Sequence, residues 1–262
     1  MKLNSANINI MVKACRKASK VLIRDFGEIE NLQVSVKGPG DFVTVSDKKV
    51  EKILIDELLK ARPDYSVLSE EVEKINNDEA FKWIIDPIDG TANFLHGVPH
   101  FSISIGLEQN GEIICGIIYD PIKDEMFVAE KGNGSYLNNQ RIRVSSRSKL
   151  KDCIIFTGGG PEKGAKDMES SLKEYYNFSS KVQIPIRKLG SAALDMAYVA
   201  AGRCDGFWQR NLEYWDIAAG IILVKESGGL VTDYYGEYKY LENKTLLVAN
   251  SKINKEMIEV LK

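Results

Sequence analysis

Residues 83–94 read Trp-Ile-Ile-Asp-Pro-Ile-Asp-Gly-Thr-Ala-Asn-Phe, an apolar run that meets a forced turn carrying two carboxylates and a hydroxyl. Residues 81–85 are apolar but for Lys82 and partly β-branched, which predicts a short strand. Pro87 biases the residue before it toward extended backbone, so Asp86 is expected to close that strand and leave the sheet at its mouth. Gly90 permits a turn forbidden to other residues, bringing Asp89 back beside Asp86 and aiming the Ile88 carbonyl into the same space. Hard oxygen donors grouped in this way suit Mg²⁺, which binds through a few carboxylates, keeps several waters and takes its remaining ligands from substrate phosphate. Asp, Pro and Gly also build ordinary surface turns, and two aspartates alone would favour that plainer reading.

Composition narrows the classes around this stretch. The chain has 262 residues, 44% hydrophobic and 27% charged, enough for a sizeable core. A formal net charge of −2 and interspersed lysines leave no basic surface for general nucleic-acid binding. Cys15, Cys115, Cys153 and Cys204 are scattered without a Cys-x-x-Cys pair, as expected of reduced, mostly buried thiols in a cytoplasmic protein without disulfide or zinc. Lys13, Arg16, Lys17 and Lys20 interrupt the N-terminal apolar residues and no long apolar run follows, so neither secretion nor a membrane span is expected.

Along the chain, Ile8, Met11, Val12, Cys15, Ala18, Leu22 and Phe26 recur at helical spacing before Gly27. Leu32, Val34 and Val36 alternate as a strand, and residues 37–41 are expected to be a mobile loop carrying Lys37. Ser46 and Asp47 open a helix that Arg62-Pro63 ends; there Asp47 is at least as suited to capping as to chemistry. Residues 65–69 predict a strand with Glu70 and Glu71 at its end, like Asp86 at its own, although a solvated acidic loop is the usual reading of such a run. Residues 101–107, 113–119, 126–129, 134–137 and 141–144 predict an antiparallel meander, with Asn110-Gly111 as a hairpin turn. His96 and His100 lie four apart, but Gly97 and Pro99 oppose a helix that would align them, so they are read as loop residues near the site mouth.

Beyond residue 150, strands over 153–157, 182–187, 205–209, 230–233 and 246–249 alternate with helices over 166–177, 191–201, 216–227 and 251–261. Gly158-Gly159-Gly160-Pro161 lacks the Lys-Ser/Thr of a P-loop and is assigned to a strand-to-helix loop. Gly190-Ser191-Ala192-Ala193 opens a helix with small residues, which admits a ligand's polar group to backbone amides and equally serves a tight helix start. Asp216, after Trp215, sits at the start of another helix, where capping is the plain reading. The fold class read from this order is α/β, with an α+β half over 1–145 and an α/β half over 146–262 of one catalytic unit spanning 1–262.

The run at 83–94 resembles the signature of the inositol monophosphatase family, closest to its bacterial, extragenic-suppressor type members, and related segments extend from about residue 5 to the C-terminus. Ser69-Glu70-Glu71, Gly190-Ser191-Ala192-Ala193 and Trp215-Asp216-Ile217-Ala218-Ala219-Gly220 are similar to further elements of that family. The resemblance implies a layered α/β/α/β/α sandwich and a Mg²⁺-dependent phosphomonoesterase in which metal-activated water attacks an inositol phosphate or similar small polyol phosphate. It implies that Glu70, Asp86 and the Ile88 carbonyl hold one metal, that Asp86, Asp89 and Asp216 hold a second, and that Thr91, backed by Asp47, orients the water. Gly90 and Thr91 amides would contact phosphate, Gly190, Ser191 and Ala192 would lie along ring hydroxyls, and Lys37 would stand near the metals. Lithium sensitivity, a homodimer and, as a second role, partnership with the transcription and ribosomal RNA machinery are also implied. Gln209 departs from the family, which usually has glutamate there to accept hydrogen bonds from inositol. A bisphosphate or nucleotide phosphatase remains the alternative enzyme, with Arg187, Lys188 and Arg210 as possible sources of the extra positive charge.

Overall fold

Ser5 starts the first helix by accepting the Ile8 amide, and the helix α1 that follows, Ala6–Phe26, buries the Ile8, Met11, Cys15, Ala18 and Leu22 stripe that its spacing predicts. The computed structural model describes residues 5–28, 34–38, 41–71, 74–158 and 165–261. Strands β1 (Val34–Gly38) and β2 (Asp41–Thr44) form a separate antiparallel ribbon. Lys37 therefore lies within a strand and not in the expected loop: Val36 pairs with Phe42 and Gly38 with Asp41, and Lys37 stands at the irregularity between those two pairs. Helix α2, Val45–Ala61, packs beside α1, and the two cover one face of the larger sheet.

That sheet has seven strands in the order β3 (Tyr65–Ser69), β4 (Asp78–Asp89), β5 (Ser102–Gln109), β6 (Glu112–Asp120), β7 (Glu125–Glu130), β8 (Gly134–Leu137) and β9 (Gln140–Arg141). Only β3 and β4 run parallel; the rest is the expected meander, although the last strand stops at Arg141. Both faces are covered, which is why residues 83–85 of β4 read as an unbroken apolar run. Trp83 and Ile85 join the cluster under α1 and α2, and Ile84 joins the one on the opposite face.

The opposite face carries α5 (Ala192–Ala200) and α6 (Tyr214–Glu226), sandwiched against a second sheet. Residues 217–224 of α6 are all buried, as a helix enclosed on every side requires. The second sheet has the order β11 (Ile186–Arg187), β10 (Ile155–Thr157), β12 (Gly206–Arg210), β14 (Thr245–Asn250), β13 (Gly229–Thr232), with β10, β11 and β12 parallel. The strand expected over 182–187 shrinks to two residues, since a π-helical turn at Phe178–Val182 extends the preceding helix, α4 (Ala165–Asn177). Phe178 of that turn and α7 (Asn254–Leu261) pack on the outer face, completing the α/β/α/β/α sandwich. All four cysteines are buried free thiols, and among the described residues no helix is long and apolar enough to cross a membrane.

Candidate active site

The strand β4 continues three residues past the expected stop at Asp86. Asp86 pairs with Ser104 and Asp89 with Ser102, so β4 spends one residue more than β5 between the two pairs. This is a bulge, and Pro87, which has no N–H to contribute to a ladder, stands inside it. The bulge turns Asp86 inward, where its Oδ1 accepts the Ile88 amide at 3.0 Å. Gly90 then adopts φ 97°, and helix α3, Thr91–Leu95, begins at once. Thr91 donates its hydroxyl to the Ile88 carbonyl at 2.9 Å, with Asp47 Oδ1 at 3.4 Å.

Four more acids surround Asp86, one from the bulge itself and three from separate elements. Glu70 follows β3, whose last residue Ser69 pairs with Ile85. Asp47 lies in the first turn of α2 and is 1% exposed. Asp89 comes from the bulge itself, and Asp216 from the first turn of α6. Burial raises the carboxyl pKa of Asp86 well above the ordinary range, and Glu70, Asp89, Asp216 and Asp47 push it in the same direction. Burial also pushes Asp89 up to about 6, against the pull of the Ser191 hydroxyl and the α5 amides.

Ser191 donates to Asp89 Oδ2, the Ala193 amide reaches the same oxygen at 2.8 Å, and the Ala192 amide reaches Oδ1 at 3.2 Å. The amides that sequence reasoning leaves open to a ligand are thus engaged by a carboxylate, which sits where the helix dipole favours negative charge. Asp216 similarly accepts the Glu213 amide at 2.7 Å, so its capping role is real. Among the described residues no three His, Cys, Asp or Glu side chains stand as they would around a bound ion. The donor chemistry nevertheless fits a hard divalent cation. A buried carboxylate repelled by four others is relieved by positive charge, and the Asp89 and Asp216 oxygens retain lone pairs beyond their backbone bonds.

Several supporting residues escape sequence reasoning. Glu51, one turn after Asp47, is fully buried; it accepts the Glu71 amide at 3.0 Å and also the Ser69 hydroxyl, bracing the Glu70 turn. Its signal is an acid at i+4 from Asp47 on an otherwise apolar helix face. Asn93 donates to the carbonyls of His100 and Leu189, both at 2.8 Å, tying the signature to the start of α5. His100 is no rim residue. Its Nε2 faces Asp195 at 3.9 Å, and that atom, both Asp195 carboxylate oxygens and the Ser102 and Ser104 hydroxyls are buried with no hydrogen-bond partner among the described residues. His96 is exposed, with Nδ1 2.7 Å from the Ala92 carbonyl. Gln209 lies on β12 with its amide oxygen over Gly158, where a Cβ would stand 1.7 Å from it. Lys37 is described in its strand only, and its side chain lies outside the described residues.

The five-layer sandwich is of the inositol monophosphatase and sugar phosphatase type. Residues 4–261 match the inositol monophosphatase family, and the chain belongs to that family and is a phosphatase. It is 50% identical over 258 residues to an inositol-1-monophosphatase of Rhizobium meliloti (strain 1021), covering 98% of this chain and 96% of that one. It is 38% identical over 252 residues to the Nus factor SuhB of Pasteurella multocida (strain Pm70), covering 96% and 94%. The crystal structure of the extragenic suppressor protein suhB from Bartonella henselae superposes with a TM-score of 0.94 at 49% identity, covering 98% of this chain and 99% of that one.

Proposed function

We propose that the chain is a Mg²⁺-dependent phosphomonoesterase acting on inositol monophosphate or a similar small polyol phosphate, in the cytoplasm and as a homodimer. The observation that carries this reading is buried Asp86, with Glu70, Asp89, Asp216 and Asp47 all close enough to raise its pKa. Glu70, Asp86 and the Ile88 carbonyl would hold one cation, and Asp86, Asp89 and Asp216 a second. Bound there, the cations neutralise phosphate charge and lower the pKa of a water.

The chain's own groups supply the rest. Thr91, with Asp47 beside its hydroxyl, orients the attacking water and accepts its proton through the pair, while the Gly90 and Thr91 amides hold the phosphate. As the water oxygen bonds to phosphorus the ester P–O bond breaks; the departing alkoxide takes a proton from solvent water, and the Thr91–Asp47 pair returns the one it accepted to solvent. Gly190, Ser191 and Ala192 flank the leaving group, with Gln209 beyond them, and Lys37 adds positive charge from its ribbon. Li⁺ is expected to inhibit by occupying the cation position near Asp216.

Phosphate release from inositol 1-phosphate should require Mg²⁺ and fall on the order of 10³-fold in Asp86→Asn, which removes charge shared by two cations. Turnover that survives chelation would refute the reading. The bisphosphate alternative loses support because Arg210 is ion-paired with Glu174 and lies over the Tyr234 ring at 5.0 Å, so it is not open to a second phosphate. A second role as a partner of the transcription machinery is supported by the name Nus factor carried by the Pasteurella multocida relative. Pull-down of RNA polymerase with Asp86→Asn would separate that role from catalysis.

A further inference from the structure

The first turn of α6 is tied to the larger sheet by three side chains that take no part in the chemistry. Lys82 on β4 and Glu108 on β5 stand directly opposite each other in the antiparallel register, and Lys82 Nζ donates to Glu108 Oε1 at 2.8 Å. The other carboxylate oxygen, Oε2, accepts the Tyr214 hydroxyl at 2.7 Å. Glu108 is 8% exposed, so each of its oxygens is satisfied away from bulk water. Burial raises the Tyr214 pKa above the ordinary phenol value, and the bond to Glu108 and its charge push the same way, which keeps the hydroxyl protonated and donating.

This network lies one short step from the carboxylate cluster. Ile84 is on the face of β4 that α6 covers, and Lys82 and Asp86, two residues to either side, share that face by strand alternation. One strand thus carries Asp86 and, four residues before it, the lysine that grips Glu108. On α6, Tyr214 opens the helix and Asp216 follows two residues later, its Oδ2 accepting the Glu213 amide at 2.7 Å. The cap fixes the Asp216 carboxylate on its helix, and the Tyr214 bond fixes that end of the helix on the sheet. Together they set how far Asp216 stands from Asp86, whose carboxyl feels the Asp216 charge. A buried ion pair returns little net stability, because the loss of water offsets the attraction. Its directionality is what an apolar contact, equally able to pack, would not supply.

We propose that Tyr214, held by Glu108 and Lys82, is a positioning residue for Asp216, so that this network sets the affinity of the cation position that Asp216 serves. The inference rests on the reading of the carboxylate cluster as a Mg²⁺ site. Groups that orient a metal ligand are typically worth about 10–100-fold in metal affinity, a range that makes the effect measurable.

The test is calorimetric Mg²⁺ binding to the full chain, without substrate, in the wild type, Tyr214→Phe, Glu108→Ala and the double variant. Tyr214→Phe removes one hydroxyl and keeps the ring, which protects folding. Each single change should weaken Mg²⁺ binding about tenfold, and the double variant no further, because both changes break the same hydrogen bond. The kcat for phosphate release should return to the wild-type value at saturating Mg²⁺. Ser135→Ala is the control: the Ser135 hydroxyl donates to the Leu223 carbonyl at 2.6 Å near the other end of α6, so this change should lower stability and leave Mg²⁺ affinity alone. Unchanged affinity in Tyr214→Phe, losses that multiply in the double variant, a kcat that stays depressed at saturating Mg²⁺, or an equal loss in Ser135→Ala would each overturn the positioning role while leaving the cluster a Mg²⁺ site. If the wild type binds no Mg²⁺, the reading of the cluster fails and the positioning role fails with it.

Discussion

At Gly90 the backbone has φ 97°, and a Cβ would stand 3.1 Å from the His100 carbonyl oxygen, 3.2 Å from that of Gly190 and 3.3 Å from Phe101 Cβ. Gly90→Ala is therefore expected to cost about 2 kcal/mol, from the left-handed backbone and from displacing two carbonyls. Urea unfolding measures it, and a loss below about 0.5 kcal/mol would show that the turn relaxes. Gln209 is the position where the family resemblance implies a carboxylate in most members, and under the proposed function a neutral amide there would weaken each hydrogen bond from a ring hydroxyl by on the order of 1 kcal/mol. Gln209→Glu should raise kcat/KM for inositol 1-phosphate several-fold relative to glycerol 2-phosphate, and an equal ratio would show that this side chain does not read the ring. His100 supplies a pH effect. Burial lowers its pKa to about 4, with Lys123 pushing the same way and Asp120 opposing, while Asp195 faces its Nε2. An imidazole with a depressed pKa binds fewer protons folded than unfolded. Stability linked to it is then full above the ordinary histidine pKa near 6.5 and is lost as pH falls toward 4. Between pH 7 and pH 5 the wild type should lose on the order of 1 kcal/mol relative to His100→Gln, and parallel stability curves would refute the assignment.

Among the elements, α6 decides how closely the two sheets approach. It crosses β5 and β6 at Gly106 and Gly116, and a Cβ on Gly116 would meet Ile222 Cγ2 at 2.6 Å and the Ala219 carbonyl oxygen at 2.8 Å. Gly116→Ala should cost about 3 kcal/mol, since backbone must move to admit it. Because Asp216 rides on the first turn of α6, the same change should weaken Mg²⁺ binding. Calorimetry would show the idea wrong if affinity held while stability fell. The long helices and the meander were legible because their periodicity is local. Of the ribbon, β1 was legible in the alternation of Val34 and Val36, while β2 and its pairing were not, since residues 37–41 read as a loop. The β4 bulge was also hidden: Pro87 reads as a stop, and only the partner strand β5 shows that pairing resumes at Asp89.

For the whole molecule, acids drawn from β4, the end of β3, α2 and α6 all repel the buried Asp86 carboxylate, so cation binding should stabilise the fold as well as activate it. Mg²⁺ at a hundred times its dissociation constant should add about 2.7 kcal/mol, raising Tm by several degrees. A Tm insensitive to Mg²⁺ in the wild type would count against the site, and Asp86→Asn should abolish the rise. The two carboxylates, the hydroxyl and the glycine of the turn are visible in residues 83–94 because one stretch of chain carries them all. Family resemblance extended that set to Glu70, Asp47 and Asp216, whose plain sequence reading was a loop or a cap. The capping was found too, for Asp216 accepts the Glu213 amide while sharing in the electrostatics of Asp86. Glu51, Asn93 and the buried His100–Asp195 contact emerged only in the folded chain. Each acts on residues distant in sequence, and no local pattern encodes which helix start a bulge will meet. Local periodicity and turn chemistry determined the elements and the signature; packing of α5 and α6 between the sheets decided which carboxylates share one space.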